Sequence, residues 1–166
     1  MTDYFSTISL ASLLEIILKQ YDDTKSIFGI QEEQFYKPLN HKEIHSERFG
    51  DLLETPIGVA AGPHSQMAQN IIAAWLTGAR FIELKTIQTL DELEVSKPCI
   101  DMQDEGYNCE WSQELKIHQS FEQYLNAWII IHILRDKFGW MDSIEPGVIF
   151  NMSVGYNYEG ILKDNV

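Results

Sequence analysis

Residues Thr55–Pro63, with the sequence TPIGVAAGP, and residues Arg80–Thr86, with the sequence RFIELKT, decide the fold of this chain. Each is an apolar run, and we predict that both are buried strands. The first ends in the small residues Ala60–Gly62, which would let a flat ligand approach the backbone closely. The second ends in Lys85, a cation. Because ligands bind at the carboxyl ends of strands in parallel α/β folds, the two runs predict a cofactor site shared by neighbouring strands.

The composition indicates a folded, soluble domain. The chain has 166 residues, of which 45% are hydrophobic, and this is enough for a sizeable core. Its formal net charge of −13 disfavours nucleic acid and anionic membranes as partners. The longest apolar run, residues 127–134, is far shorter than the ~20 residues of a membrane span. The first residues lack the basic and apolar regions of a secretory signal, so we expect a cytoplasmic protein.

Metal-binding patterns do not emerge from the sequence. Cys99 and Cys109 stand ten positions apart without a CxxC motif, too few for an iron–sulfur cluster or a structural zinc site. The five histidines show no metal-ligand spacing. His64 follows Gly62 and Pro63 at the predicted ligand end, and we interpret it as a loop residue. We therefore predict no metal site.

The periodicity predicts alternating strands and helices. Apolar residues at helical spacing predict helices over about 9–21, with Ser9 as N-cap, over 66–77, ending at Gly78, and over 111–137. A hairpin over 43–54, turning at 49–51, precedes strands over about 57–61, 81–86 and 148–154. The β-α-β-α-β order indicates a parallel sheet with right-handed crossovers. The apolar residues that recur in the last helix are Leu115, Phe121, Leu125, Trp128, Ile131 and Leu134.

A long polar segment separates the second strand from the last helix. It covers the 24 residues from Ile87 to Glu110. Loops of this length inside a compact domain usually have a function. We expect this one to fold over the cofactor.

Three motifs, in this order, resemble the FMN domain of the dihydroorotate and dihydropyrimidine dehydrogenases: Ala60-Ala61-Gly62, Lys85-Thr86 and Asn108-Cys109-Glu110. Over essentially the whole chain, the sequence is also similar to the N-terminal region of the selenate reductase iron–sulfur subunit family. The segments that carry this second resemblance are 26–30, 60–70, 81–88, 97–101 and 150–157.

The resemblance implies an α/β fold, namely the N-terminal part of an FMN-binding TIM (β/α)8 barrel. Residues 1–54 would be a helical and hairpin extension, and residues 55–166 the first three barrel strands. FMN would lie across the carboxyl ends of the strands, with a cation near the flavin ring that favours the reduced, anionic form. The cofactor-binding residues that the resemblance implies are Ala60, Ala61, Gly62, Lys85, Thr86, Asn108 and Glu110.

A further match to these dehydrogenases fails. Asn151-Met152-Ser153 is similar to an Asn-x-Ser motif on their fourth strand, but it would place Val154 at the position of a catalytic base, and valine cannot accept a proton. Only two barrel strands precede this segment, so it belongs to the third barrel strand. We expect Asn151, Ser153 and Asn157 at the mouth of that strand, in the cofactor pocket.

The chain is too short for a complete barrel, and this affects the function that we expect. A complete (β/α)8 barrel needs about 250 residues, so we interpret the chain as an N-terminal fragment of an FMN-dependent oxidoreductase that is inactive alone. The resemblance implies a second flavin, pyridine nucleotide and iron–sulfur clusters outside this chain. The implied partners are a small-molecule substrate and other redox domains or subunits. An open three-stranded piece exposes a strand edge and an apolar face, from which we expect self-association.

Other interpretations of the same residues stay open. Ala60–Gly62 could serve only close packing of a strand on a helix, and Lys85 could pair with Glu83 on the same face. The domain could then be a structural or docking unit of a redox complex that binds no FMN. In an aldolase-like barrel, Lys85 would instead form a Schiff base, which requires a desolvated lysine of lowered pKa. The residues identify neither the substrate nor the catalytic acid or base.

Overall fold

The computed structural model describes residues 6–38, 42–87, 115–140, 147–154 and 157–164. Three short 3-10 helices cover Glu32–Gln34, Lys42–Ile44 and Pro63–Ser65. In chain order, the α-helices and strands of these ranges are α1 (Leu10–Thr24), β1 (Ser26–Ile27), β2 (Ile30–Gln31), β3 (Ser46–Arg48), β4 (Asp51–Leu53), β5 (Gly58–Val59), α2 (Ala68–Leu76), β6 (Phe81–Glu83), α3 (Ile117–Lys137), β7 (Ile149–Asn151) and α4 (Tyr158–Ile161).

The first predicted helix is confirmed. Ser9 caps α1, since its side chain accepts a hydrogen bond from the Ser12 amide at 3.2 Å. The helix ends at Thr24, three residues later than predicted, and Lys25 follows it as C-cap in the left-handed conformation. Leu13 and Ile17 are buried in the same core as residues of α2 and α3, so the N-terminal region packs onto the sheet-bearing part of the chain.

The central feature is a three-stranded parallel sheet with the order β5-β6-β7, as the β-α-β-α-β pattern predicts. Val59 pairs with Ile82, and Ile82 with Phe150. The strands are shorter than predicted, although a parallel bridge between Ile87 and Val154 continues the pairing of β6 with β7, and another joins Leu53, at the end of β4, to Gly147. The described residues thus form an open piece of parallel sheet rather than a closed barrel.

The prediction of a buried first strand is wrong. Ile57 is 58% exposed, Gly58 is exposed and Val59 is half-buried. The reason is position, because β5 pairs only with β6 among the described strands, and the helices cover only one face of the sheet. In the central strand, Ile82 and the following Leu84 are buried, which agrees with the prediction for the second run.

Helices α2 and α3 pack against each other and cover one face of the sheet. The helix predicted over 66–77 is confirmed as α2, and it buries Ile71 and Trp75. The apolar pattern predicted for α3 is confirmed in part: Leu115, Ile131 and Leu134 are buried, but Phe121 and Leu125 are 48% and 43% exposed. The face that α3 buries carries polar residues as well, and its members are Ser120, Gln123, Tyr124, Ala127, Ile130, Ile131, Leu134 and Arg135.

The predicted hairpin is confirmed and covers part of the other face of the sheet. β3 and β4 are antiparallel, and the two residues between them, Phe49 and Gly50, have φ values of 55° and 89°. Positive φ at both central positions is typical of a type I′ turn, which suits the twist of a hairpin. The Phe49 ring lies 6.2 Å from the Phe81 ring, so the tip of the hairpin reaches the strand β6.

Candidate functional site

A short loop at the carboxyl end of β5 presents small residues to solvent. Ala60 and Ala61 are exposed, whereas Gly62 is buried. The Ser65 hydroxyl accepts a hydrogen bond from the Gly62 amide at 3.2 Å. It also lies 3.2 Å from the Gly62 carbonyl oxygen and 3.4 Å from that of Ala60, so its proton is donated to one of them. The loop is therefore fixed from inside, while its alanines face outward.

Lys85 follows the neighbouring strand, beside this loop. Its side chain is half-buried, as is that of Thr86. The Lys85 amide donates to the Ser65 carbonyl oxygen at 3.5 Å, and the Lys85 carbonyl accepts from the Tyr124 hydroxyl at 2.7 Å. The structure thus joins the Ala60–Gly62 loop and Lys85 through Ser65, at the carboxyl ends of two adjacent parallel strands.

The remaining two predicted site residues fall in the long polar segment that the sequence predicts to be a loop. Asn108 and Glu110, like Cys99 and Cys109, lie outside the described residues, and so does most of that loop. Their role at the flavin and substrate remains a prediction.

His64 packs its ring against the loop. A Cβ atom at Gly62 would lie 2.8 Å from Cε1 of the His64 ring, so the ring sits where a side chain would otherwise be. The histidine is exposed, and it lies in the 3-10 helix Pro63–Ser65 rather than in an irregular loop, as its interpretation had it. Across the described ranges, no group of three or more His, Cys, Asp or Glu side chains could hold a metal ion.

The face of the sheet opposite the helices borders a cavity of about 560 Å³. Glu83 and Asn151 face each other across β6 and β7, and the Asn151 amide donates to the Glu83 carboxylate at 2.6 Å. Lys85 continues the alternation of Phe81 and Glu83, so its side chain leaves the backbone on this face. The residues that line the cavity are Ser46, Glu47, Arg48, Phe49, Leu53, Pro56, Gly58, Phe81, Glu83 and Asn151.

The three residues expected at the mouth of the third strand have different environments. Asn151 lies within β7, where it binds Glu83. Ser153 is exposed, and its carbonyl accepts a hydrogen bond from the Ile87 amide at 3.0 Å. Asn157 caps the short helix α4, since its side chain accepts from the Gly160 amide at 2.8 Å. The structure therefore gives Asn157 a local structural contact and leaves a part in the cofactor pocket untested.

Sequence reasoning missed a buried charge cluster at the amino end of the sheet. Glu54 is 4% exposed and binds both Arg80, which is fully buried, and Arg135, whose Nη2 lies 3.6 Å from Glu54 Oε1. Arg80 Nη1 also donates to the carbonyls of Trp75, at 2.7 Å, and Ala79, at 3.0 Å. Burial lowers the pKa of Arg80, and the negative charge of Glu54 opposes that effect. Charges that flank apolar runs were visible in the sequence, but nothing in it indicated that these three would meet.

Within the part of the chain that the structure describes, no helix is both long enough and apolar enough to cross a membrane.

The chain is similar to known proteins over most of its length. Residues 28–166 match the sequence model of the family described as "Oxidoreductase YgfK, N-terminal TIM-barrel domain". The chain is 51% identical over 161 residues to "Putative oxidoreductase YgfK" of Escherichia coli (strain K12), and equally to the protein of that name in Escherichia coli O157:H7. Each alignment covers 97% of this chain but only 15% of the relative. No solved structure matches the chain.

Proposed function

Because this chain belongs to the family of the oxidoreductase YgfK N-terminal TIM-barrel domain, we propose that it forms the FMN-binding part of a flavin-dependent oxidoreductase. The observation that carries the proposal is the arrangement at the carboxyl end of the sheet. An exposed loop of small residues, Ala60 and Ala61, lies beside a strand that ends in Lys85. Barrel enzymes place their sites at this end of the strands.

The residues at this end suit a flat, electron-accepting ring. Ala60 and Ala61 are exposed and carry only methyl side chains, so the ring of FMN could approach their backbone closely. FMN, when bound, supplies reversible one- and two-electron chemistry. The work of the chain is to hold the ring and to set its electrostatics. The Lys85 ammonium would stabilise negative charge that develops on the reduced ring, and Thr86 would line the same edge.

The rest of the site is proposed from the resemblance alone. Asn108 and Glu110 would reach the flavin and the substrate from the long loop. The resemblance to the dihydroorotate and dihydropyrimidine dehydrogenases and to the selenate reductase family favours a small oxidised molecule as substrate. It also favours electron exchange with a second flavin, pyridine nucleotide or iron–sulfur clusters. The chain spans about 15% of the length of its curated relatives, so these partners belong to the longer proteins.

The proposal is tested by flavin binding. We would titrate the purified 166-residue chain with FMN and follow flavin absorbance and fluorescence, with the E. coli K12 relative purified in parallel. We expect flavin that co-elutes with protein and a spectrum shifted from that of free FMN. A colourless relative and a chain that ignores FMN would instead favour a docking domain of a redox complex.

The contribution of the cation is tested by substitution. Lys85→Ala should weaken FMN binding by about tenfold or more, because the ring would lose a charge partner, a change of about 1.4 kcal/mol or more. Lys163→Ala, which removes a cation from an exposed position near the carboxyl terminus, is the matched control. Equal FMN affinity in the two variants would remove Lys85 from the proposed site.

A further inference from the structure

Ser65 contacts both halves of the proposed site with different atoms. It is 1% exposed, and it ends the 3-10 helix that follows the Ala60–Gly62 loop. Its hydroxyl accepts from the Gly62 amide, and its carbonyl accepts from the Lys85 amide. One buried residue therefore links the loop after β5 to the end of β6.

The Lys85 backbone is held on its carbonyl side as well. The Tyr124 hydroxyl, on α3, donates to the Lys85 carbonyl at 2.7 Å, and Tyr124 is 5% exposed. The helix thus holds the Lys85 carbonyl, and the Ser65 carbonyl, at 3.5 Å, holds the Lys85 amide. With both ends of its backbone held, the origin of the Lys85 side chain has a set position relative to the Ala60–Gly62 loop.

We propose that Ser65 is a positioning residue of the flavin site, which holds the Ala60–Gly62 loop and Lys85 at the spacing that the cofactor needs. The inference rests on the proposed function, because the role has meaning only if FMN binds at this end of the sheet. Ser65 is buried beneath the loop, so it acts through Gly62 and Lys85 rather than by touching the cofactor.

The chemistry of the side chain explains why a hydroxyl is required. The position needs an acceptor for the Gly62 amide and a donor for the carbonyl of Gly62 or Ala60, and a hydroxyl is both. Alanine provides neither, so it would leave the Gly62 amide without this acceptor. Threonine keeps both functions. A shift in the loop would then pass through the Ser65 carbonyl to the Lys85 amide.

The other end of the sheet offers a matched control. Thr55 is 2% exposed, and its hydroxyl donates to the Gly78 carbonyl at 2.7 Å. Like Ser65, it carries a buried hydroxyl that joins two segments of the chain by a hydrogen bond, here the segment before β5 and the segment after α2. Thr55→Val removes that hydroxyl at nearly constant volume, away from the proposed site.

The test compares Ser65→Ala, Ser65→Thr and Thr55→Val in the 166-residue chain by two measurements. Amide hydrogen exchange, followed by NMR, reports on the Gly62 and Lys85 amides, and fluorescence titration gives the dissociation constant of FMN. In Ser65→Ala we expect exchange at both amides to accelerate by about tenfold or more and FMN binding to weaken by a similar factor. Ser65→Thr should restore both values. Thr55→Val should lower stability without changing either.

The outcomes separate the inference from the proposed function. If the wild-type chain binds FMN and Ser65→Ala binds it equally well, the positioning role is overturned and the proposed function stands. If Lys85 exchange stays unchanged while Gly62 exchange rises, the link between the two strand ends is overturned. A wild-type chain that binds no FMN removes the proposed function for this chain, and the inference with it. Should Ser65→Ala fail to fold, Ser65→Cys, with its weak hydrogen bonding, takes its place in the same comparison.

Discussion

The two ends of the parallel sheet are built differently. At the amino end, Glu54, Arg80 and Arg135 are each at most 4% exposed, and the Glu54 carboxylate pairs with both arginines inside the fold. At the carboxyl end, Ala60 and Ala61 are exposed, and Lys85 is half-buried. The amino end therefore closes the fold, while the carboxyl end leaves backbone accessible to a ligand.

This difference separates stability from function within one small sheet. In barrels, the ends of the strands that carry the chemistry are the carboxyl ends, and the opposite ends serve stability. Substitutions at the amino end should therefore change the free energy of unfolding, and substitutions at the carboxyl end should change ligand binding with small effects on folding. The following changes test that division, beginning with the largest expected effect.

The strongest test removes the acid between the two arginines. Glu54→Gln should lower the free energy of unfolding by about 3 to 5 kcal/mol, because it leaves buried positive charge without its partner. This is the cost of an uncompensated charge rather than the net worth of the ion pairs. Urea denaturation followed by circular dichroism would measure it.

Glu47 provides the control for this change. It is an exposed carboxylate on the neighbouring hairpin, so Glu47→Gln should change stability by no more than about 0.5 kcal/mol. If Glu54→Gln cost as little as Glu47→Gln, the buried cluster would not be what stabilises the amino end.

Two glycines along β5 and its loop sharpen the comparison. A Cβ at Gly58 would lie 2.6 Å from the Phe81 carbonyl oxygen, a backbone atom that cannot move without shifting β6. At Gly62, whose backbone is extended, a Cβ would meet only the exposed ring of His64, which can rotate away. Gly58→Ala should therefore cost about 1 to 3 kcal/mol of unfolding free energy, and Gly62→Ala clearly less.

Thermal and urea unfolding of the two alanine variants, side by side, would check this order. An equal loss of unfolding free energy in both variants would mean that the backbone at Gly58 adjusts to a side chain as easily as the loop at Gly62. The pairing of Gly58 with Phe81 would then not be rigid.

The sequence predicted this architecture in outline, and the reasons for its failures are physical. The cap at Ser9, the hairpin turn and the parallel order follow from local chemistry and from the alternation of strands and helices, which a sequence displays directly. The prediction that β5 is buried was wrong because a strand's place at the edge of a sheet depends on which other strands are present. It does not depend on how apolar the strand itself is.

The apolar pattern of α3 was wrong at Phe121 and Leu125 for a different reason. Gln123 accepts a hydrogen bond from the Ala68 amide at 3.4 Å, and Tyr124 donates to Lys85, so polar contacts help to choose the buried face. Such contacts join residues 39 and 55 positions apart, and no local pattern encodes them. The Glu54 cluster escaped prediction for the same reason. The positions of Ala60–Gly62 and Lys85 at adjacent strand ends were predicted correctly, whereas their binding of FMN stays a prediction.

A milder test concerns charge at the carboxyl end. Lys85→Met keeps the length of the side chain but removes the cation, and we expect the free energy of unfolding to change by less than about 1 kcal/mol. The same variant should lose FMN affinity, so FMN titration should show a clear defect where urea denaturation shows almost none. A large loss of stability would show that this end, too, depends on a buried charge, and the division between the ends would fail.

The smallest effect is expected at Tyr36, beside the buried cluster. Its ring lies 5.1 Å from the Arg80 guanidinium carbon, and its hydroxyl is buried with no hydrogen-bond partner among the described residues. Tyr36→Phe keeps the ring and removes an unsatisfied hydroxyl, so stability near pH 7 should stay within about 1 kcal/mol of the wild type, and a gain is as acceptable as a loss.

The unfolding free energies of the wild type and of Tyr36→Phe should diverge at alkaline pH. Burial raises the pKa of the Tyr36 phenol, Arg80 lowers it, and Glu54 raises it, with a net upward shift. The folded wild type then holds this proton more tightly than the unfolded chain, so its stability is complete below a pH of about 10 and declines as the pH rises through the folded pKa. Tyr36→Phe lacks this decline.

Some loss of stability at alkaline pH remains in both proteins, since the pKa of Tyr21 is raised as well, mainly by burial. Urea denaturation at several pH values above 9 would show the gap between the two widening in favour of Tyr36→Phe. Parallel curves would mean that the Tyr36 hydroxyl reaches solvent in the folded state, and that the amino end is less tightly closed than the burial of Arg80 indicates.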